Sequence, residues 1–162
     1  MGLRLSDLIS TKLKILFTCK YYGKKRIPYE AVQKMQRKYY VFSLNTGRST
    51  PILNIMDLNI IYMLTNRILG GEGIVENRKF KELFTFSENY FGKMFTEWII
   101  EAFSINGTAM VLEKIADSPQ YYHIYLPDEK VWHYTFEMYL GQQHIGMYYI
   151  CFDSNYALNI KA

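Results

Sequence analysis

Apolar residues recur at helical spacing over Leu5, Leu8, Ile9, Leu13 and Leu16, which predicts an amphipathic helix over residues 3–16. Residues 15–22 turn strand-like, and the strand is expected to stop at Gly23-Lys24-Lys25. Pro28 suits a first helical turn, so residues 29–36 predict a short helix. Residues 38–45 and 50–56 predict strands joined around Gly47. Asp57 is a natural N-cap for a helix whose apolar face is Leu58, Ile61, Tyr62, Thr65, Ile68 and Leu69, halting at Gly70-Gly71. Residues 72–82 are charged and weakly patterned, as in an exposed loop. Thr85-Phe86-Ser87-Glu88 then fits a capping box, and behind it Phe91, Met94, Phe95, Trp98, Ala102 and Phe103 form the longest apolar stripe. Turn signals at Asn106-Gly107, Ser118-Pro119, Leu126-Pro127-Asp128 and Gly141 separate strands predicted over 108–115, 131–140 and 145–152.

Two parts of this pattern repeat. Tyr40-Val41-Phe42-Ser43-Leu44, followed by Gly47, matches Tyr134-Thr135-Phe136-Glu137-Met138, followed by Gly141, at an offset of 94. The next strands end in Met56-Asp57-Leu58-Asn59 and Phe152-Asp153-Ser154-Asn155, at an offset of 96. An amphipathic helix precedes each copy. Matching order and spacing predict one pseudo-two-fold α/β domain over residues 1–162, built of half-repeats spanning about 3–70 and 85–158.

A chain of 162 residues with 49% hydrophobic content can bury a core without metals or disulfides. Cys19 and Cys151 sit in apolar runs without partner spacing and read as buried free thiols of a reducing compartment. The apolar stretch 54–69 is interrupted by Asp57, Asn59, Asn66 and Arg67, and Lys12, Lys14 and Lys20 break the first one, so a cytosolic protein is expected. Charge is uneven: residues 1–40 carry ten Lys/Arg against Asp7 and Glu30, whereas the remainder is net acidic. A basic end beside Tyr21, Tyr22, Tyr39 and Tyr40 could touch nucleic acid or anionic lipid, but no nucleic-acid motif accompanies it, and a solvated basic face is the simpler reading.

His123, His133 and His144 have no ligand spacing, and no Gly-x-Ser-x-Gly, His-Glu-x-x-His or dinucleotide fingerprint occurs, so neither metal nor cofactor is expected. Gly70-Gly71-Glu72-Gly73 is not a phosphate cradle. It leaves a helix C-terminus rather than entering an N-terminus, and Glu72 stands where an anion would sit. Its plain structural role is a helix stop, with Gly70 at positive φ; Gly71 and Gly73 lie beyond the cap, where a side chain is expected to disturb the fold little.

The ordered set of motifs resembles the middle domain of the flagellar motor switch family FliM. Asn54-Ile55-Met56-Asp57 through Asn66-Arg67-Ile68-Leu69-Gly70-Gly71-Glu72-Gly73 is similar to that family's strand and helix ending in Gly-Gly-x-Gly. Leu5-Ser6-Asp7-Leu8, Tyr29-Glu30-Ala31-Val32, Ser118-Pro119-Gln120-Tyr121, Pro127-Asp128-Glu129 and Thr135-Phe136-Glu137-Met138 fall in the family's order. The resemblance implies an internally duplicated α+β fold related to CheC and CheX, with helices on a largely antiparallel sheet. It implies a non-enzymatic rotor protein at the cytoplasmic face of the inner membrane. Such a protein docks FliG through Arg67, Gly70, Gly71, Glu72 and Gly73, stands beside sibling copies in a ring, and touches phospho-CheY weakly. The glycines would let the partner approach the backbone and bond its amides. The family's N-terminal CheY-binding peptide and C-terminal domain joining FliN are not expected within these residues.

The rival readings are a CheC-like phosphatase, a FliY-type relative and a basic nucleic-acid module. The phosphatase relatives place Asp or Ser, then Glu four residues on, then Asn three further, on a helix, to orient the attacking water. Here Ser6 is followed by Ser10 and Leu13, and Ser87 by Phe91 and Met94, so both copies lack the pair; Glu88 and Asn89 are adjacent and point to different helix faces.

Overall fold

The computed structural model describes residues 2–47, 50–71, 85–104 and 109–153. Its order is α1 (Gly2–Leu13), β1 (Phe17–Pro28), α2 (Tyr29–Gln33), β2 (Tyr39–Asn45), β3 (Ile52–Asp57), α3 (Leu58–Ile68), α4 (Phe86–Phe103), β4 (Val111–Ala116), a 3-10 turn (Pro119–Tyr121), β5 (Lys130–Leu140) and β6 (Gln143–Asp153). The strands form one antiparallel sheet in the order β1-β5-β6-β3-β2-β4. Strand alternation gives the sheet two apolar faces. One packs Phe42, Met56, Phe136, Tyr148 and Ile150 against Leu5 and Ile9 of α1, Ile60, Ile61 and Leu64 of α3, and Phe95 and Ile99 of α4. The other packs Val41, Leu53, Ile55, Val131 and Cys151 under Tyr29 and Val32 of α2 and under Tyr122 and Tyr125. Tyr29 Oη donates to the Tyr122 carbonyl (2.9 Å), and Tyr125 Oη to that of Pro51 (2.8 Å), tying the connection after β4 across this second face.

The pseudo-two-fold is written into the register. Phe42 faces Asn54 and Ile115; Phe136 faces Tyr148 and Tyr21. Exchanging residues at an offset of 94 therefore carries β2 onto β5, β3 onto β6 and β1 onto β4, and reverses the strand order onto itself. At the centre Ile55 pairs with Tyr149, its own equivalent. The offset of 96 for the second match is corrected: by pairing, Asp57 corresponds to Cys151 and not to Asp153, and two residues of apparent similarity there are coincidental.

Other expectations shift in detail. β1 does not stop at Gly23-Lys24-Lys25 but absorbs an extra residue between Tyr21 and Gly23 as a bulge and continues to Pro28. Asp57 stands at the N-cap of α3 without a side-chain cap bond, because its Oδ2 accepts the Met147 amide of β6 (2.8 Å). Gly146 leaves room for that carboxylate: a Cβ there would meet Asp57 Cβ at 2.8 Å. The buried face of α3 includes Ile60, Met63 and Leu64, whereas Leu69 is 69% exposed. The helix lies between sheet and α4, so its apolar arc is wider than one stripe. The Asn106-Gly107 turn, residue 108, Ser154 and Asn155 fall outside the described residues.

Candidate docking loop and the two long helices

The end of α3 is a Schellman turn. Gly70 N donates to the Arg67 carbonyl (3.1 Å) and Gly71 N to the Asn66 carbonyl (2.9 Å), with Gly70 at φ +89°. These bonds satisfy two carbonyls that the helix leaves open. They also use up both amides, which corrects the expectation that a partner would bond them. Gly71 is crowded as well: a Cβ there would fall 2.1 Å from Asn66 Oδ1, so a side chain is not accommodated without moving Asn66. Arg67 Nη1 donates back to the Gly71 carbonyl (3.3 Å) and braces the turn while remaining exposed. The surface offered here consists of the exposed Leu69, the Arg67 guanidinium and Gly70, which has no side chain. Glu72 and Gly73 lie outside the described residues.

Both serines of α1 serve the backbone, whereas Ser87 at the start of α4 is exposed. Ser6 Oγ donates to the Gly2 carbonyl (2.7 Å) and accepts from Cys19 N (2.8 Å); Ser10 Oγ bridges the carbonyl and amide of Phe17 (3.1 and 3.0 Å). Glu88 closes the capping box, accepting from Thr85 N (2.7 Å) while the Thr85 hydroxyl accepts from Glu88 N (3.2 Å). Thr96 Oγ1 donates to the Gly92 carbonyl (3.0 Å) as Ser6 does to Gly2, so α4 repeats α1 at an offset of 90. Gly92 lets Tyr40 pack on the helix; a Cβ would meet its ring at 2.4 Å.

His133 is buried on β5, whereas His123 and His144 are exposed. Among the described residues no three His, Cys, Asp or Glu side chains lie close enough to hold a metal. No described helix is long and apolar enough to cross a membrane. Cys19 and Cys151 are free and buried, and burial pushes the Cys19 thiol up to about 12 and that of Cys151 higher still.

Neither a protein-family model nor a curated protein sequence matches the chain. Solved structures do. The FliM middle domain from Vibrio alginolyticus superposes with a TM-score of 0.78 at 13% identity, covering 94% of this chain and 88% of that one. A FliG–FliM complex from H. pylori gives 0.75 at 16% identity, over 94% and 86%. FliY from Thermotoga maritima gives 0.74 at 15% identity, over 94% and 83%. At these identities the likeness is one of fold, and it agrees with the register symmetry and strand order described above: the chain has the FliM/CheC-like fold, in the form taken by the FliM middle domain.

Proposed function

We propose that this chain is a structural and switching module of the bacterial flagellar rotor ring, in the cytoplasm at the base of the flagellum. It docks FliG through the turn that ends α3, stands beside sibling copies, and receives phospho-CheY weakly. FliN would be reached through a further domain. The observation that carries the reading is the superposition on FliM middle domains, one of them solved with FliG, together with a hydrogen-bonded glycine turn bearing Leu69 and Arg67 at the surface. A non-enzymatic role is supported by the use of Ser6, Ser10 and Glu88 in local backbone bonds, which leaves them unsuited to orienting a water.

Titration calorimetry against FliG tests the reading. Leu69→Glu and Gly73→Trp should each lower affinity tenfold or more, about 1.4 kcal/mol, with the melting temperature of the chain nearly unchanged. Undiminished affinity in both well-folded variants would remove this turn from the interface. Incubation with phosphorylated CheY should leave its dephosphorylation rate unaltered; a tenfold acceleration would overturn the non-enzymatic reading.

A further inference from the structure

The two outer edges of the sheet are equivalent by the pseudo-two-fold, yet α1 seals one and α4 leaves the other open. On β1, Ser6 Oγ accepts from Cys19 N, Ser10 Oγ bridges the amide and carbonyl of Phe17, and Gly2 lies against the Cys19 carbonyl. At the offset of 90 the counterparts of these serines are Thr96 and Ile100. Thr96 bonds the Gly92 carbonyl of its own helix, and Ile100 has no hydroxyl to offer. We propose that the outer edge of β4 is an interface between two copies of this chain, paired antiparallel so that two six-stranded sheets become one.

β4 pairs with β2 on one side and with no described strand on the other. Tyr39 N donates to the Asp117 carbonyl (3.0 Å), so the odd-numbered residues of β2 turn their backbone toward β4. Val111, Lys114 and Ala116 answer them. Leu112 and Ile115, opposite Leu44 and Phe42, therefore turn their amides and carbonyls outward. Tyr122 Oη donates to the carbonyls of Lys114 (2.8 Å) and Val41 (3.2 Å), so it lies between the two strands and leaves the outside clear. Val111 is 62% exposed, and Glu113 and Lys114 are exposed as well.

The order of side chains selects the occupant. A bulge sets an extra residue of β4 opposite the step from Ser43 to Leu44, and it brings Glu113 onto the same sheet face as Lys114. Glu113 accepts from Ser43 and Asn45 on that face, and Lys114 lies there over the Tyr122 ring (4.9 Å). Two copies of Val111-Leu112-Glu113-Lys114-Ile115-Ala116, laid antiparallel about the Glu113–Lys114 link, set each Glu113 against Lys114 of the other copy. The same alignment sets Leu112 against Ile115 on the helix-covered face and Val111 against Ala116 on the opposite one, so every pair shares a face and a chemistry. A uniformly acidic or basic strand has no such match, because Glu113 and Lys114 stand side by side. Beside Ile115 the edge opens into a cleft of about 810 Å³ with the exposed Phe86, Tyr90 and Tyr121 on its wall, and Leu112 of the second copy enters it. A two-fold contact closes on itself, so it is distinct from the repeated contact of a ring and needs nothing from the flagellar reading.

Sedimentation equilibrium of the chain decides it. A reversible dimer is expected, and Glu113→Lys and Lys114→Glu should each weaken it tenfold or more. The double variant Glu113→Lys/Lys114→Glu should regain most of that loss, although it does not restore the bonds to Ser43 and Asn45. Ile115→Pro removes an outward amide without touching the charge or the bonds to β2, and should weaken the dimer as much with an unchanged circular dichroism spectrum. A chain that stays monomeric up to about 1 mM would overturn the proposal. Losses that simply add in the double variant would overturn the register, and a dimer indifferent to Ile115→Pro would place the contact on another surface. A monomer that binds a labelled peptide of alternating Thr and Val in anisotropy would assign the edge to a strand of a different protein instead. FliG affinity should be unaltered in the charge-reversed variants, so failure here and failure of the docking turn are told apart.

Discussion

His133 shows how one buried side chain sets a pH response. It sits between Lys25 on β1 and Cys151 on β6, its ring 5.1 Å from that of Tyr149, and its Nδ1 has no hydrogen-bond partner. Burial, with Lys25 in second place, lowers its pKa to about 4. The unfolded chain, titrating near 6.5, takes up the proton first as pH falls. Stability is therefore whole above about pH 6.5 and declines toward pH 4, by about 2 kcal/mol at pH 5. Asp57 has the opposite sign. Burial raises its carboxyl pKa despite the Met147 amide, so the native state gains relative stability as pH falls between that raised value and the ordinary one. Urea midpoints at pH 7 and pH 5 separate the two groups: His133→Phe should flatten the decline, and an unchanged decline would place its origin elsewhere. His133 was legible in the sequence only as a strand histidine without ligand spacing. Its burial depends on β1 running past Gly23, which the sequence reads as a stop.

At the level of single elements, the end of α3 makes a sharp test of backbone against side chain. Gly70→Ala should cost about 1 kcal/mol, because φ +89° strains any residue with a Cβ although nothing lies within 4 Å of that position. Gly71→Ala costs nothing in φ but displaces the Asn66 side chain, so combining it with Asn66→Ala should recover most of its loss. Thermal melts of the three variants check both statements; equal recovery of Gly70→Ala by Asn66→Ala would refute the distinction. Local signals of this kind were readable. Thr85 and Glu88 lie three residues apart, so their reciprocal bonds follow from spacing, and the positive φ of Gly70 follows from a glycine after an apolar helix. Asp57 was readable as an N-cap position and not as a ligand of Met147, because that partner is 90 residues away. Leu69 belongs to an apolar run, but the turn that begins at its own position carries it out to solvent. Glu72 and Gly73 stay as the sequence left them, inferred from resemblance alone.

Across the whole molecule, the symmetry brings equivalent residues into contact. Tyr148 and Asn54 correspond at the offset of 94, and Tyr148 Oη donates to Asn54 Oδ1 (2.6 Å) where both are fully buried. Asn54 Nδ2 donates onward to the Ile52 carbonyl (3.2 Å). Tyr148→Phe should cost about 1–3 kcal/mol by leaving Asn54 Oδ1 without that donor. Asn54→Leu in the same background should then cost far less than it does alone, with a coupling of about 1 kcal/mol or more across the cycle. Strictly additive denaturant midpoints would show the pair to be energetically idle.

The same symmetry exchanges strands. β1 pairs with β5 rather than with β2 or β3, and β4 pairs with β2 rather than with β5 or β6. Each half thus lends its first strand to the other. For a chain emerging from a ribosome, α1 and β1 come out early, yet the strand that holds β1 follows more than a hundred residues later. At about 5–20 residues per second, β1 stays unpaired for roughly 5–25 s of synthesis. During that interval Lys20, Lys24, Lys25 and Arg26 keep an otherwise tyrosine-rich, strand-forming segment soluble. The positive charge of the first forty residues is therefore as much a property of the nascent chain as of the finished sheet.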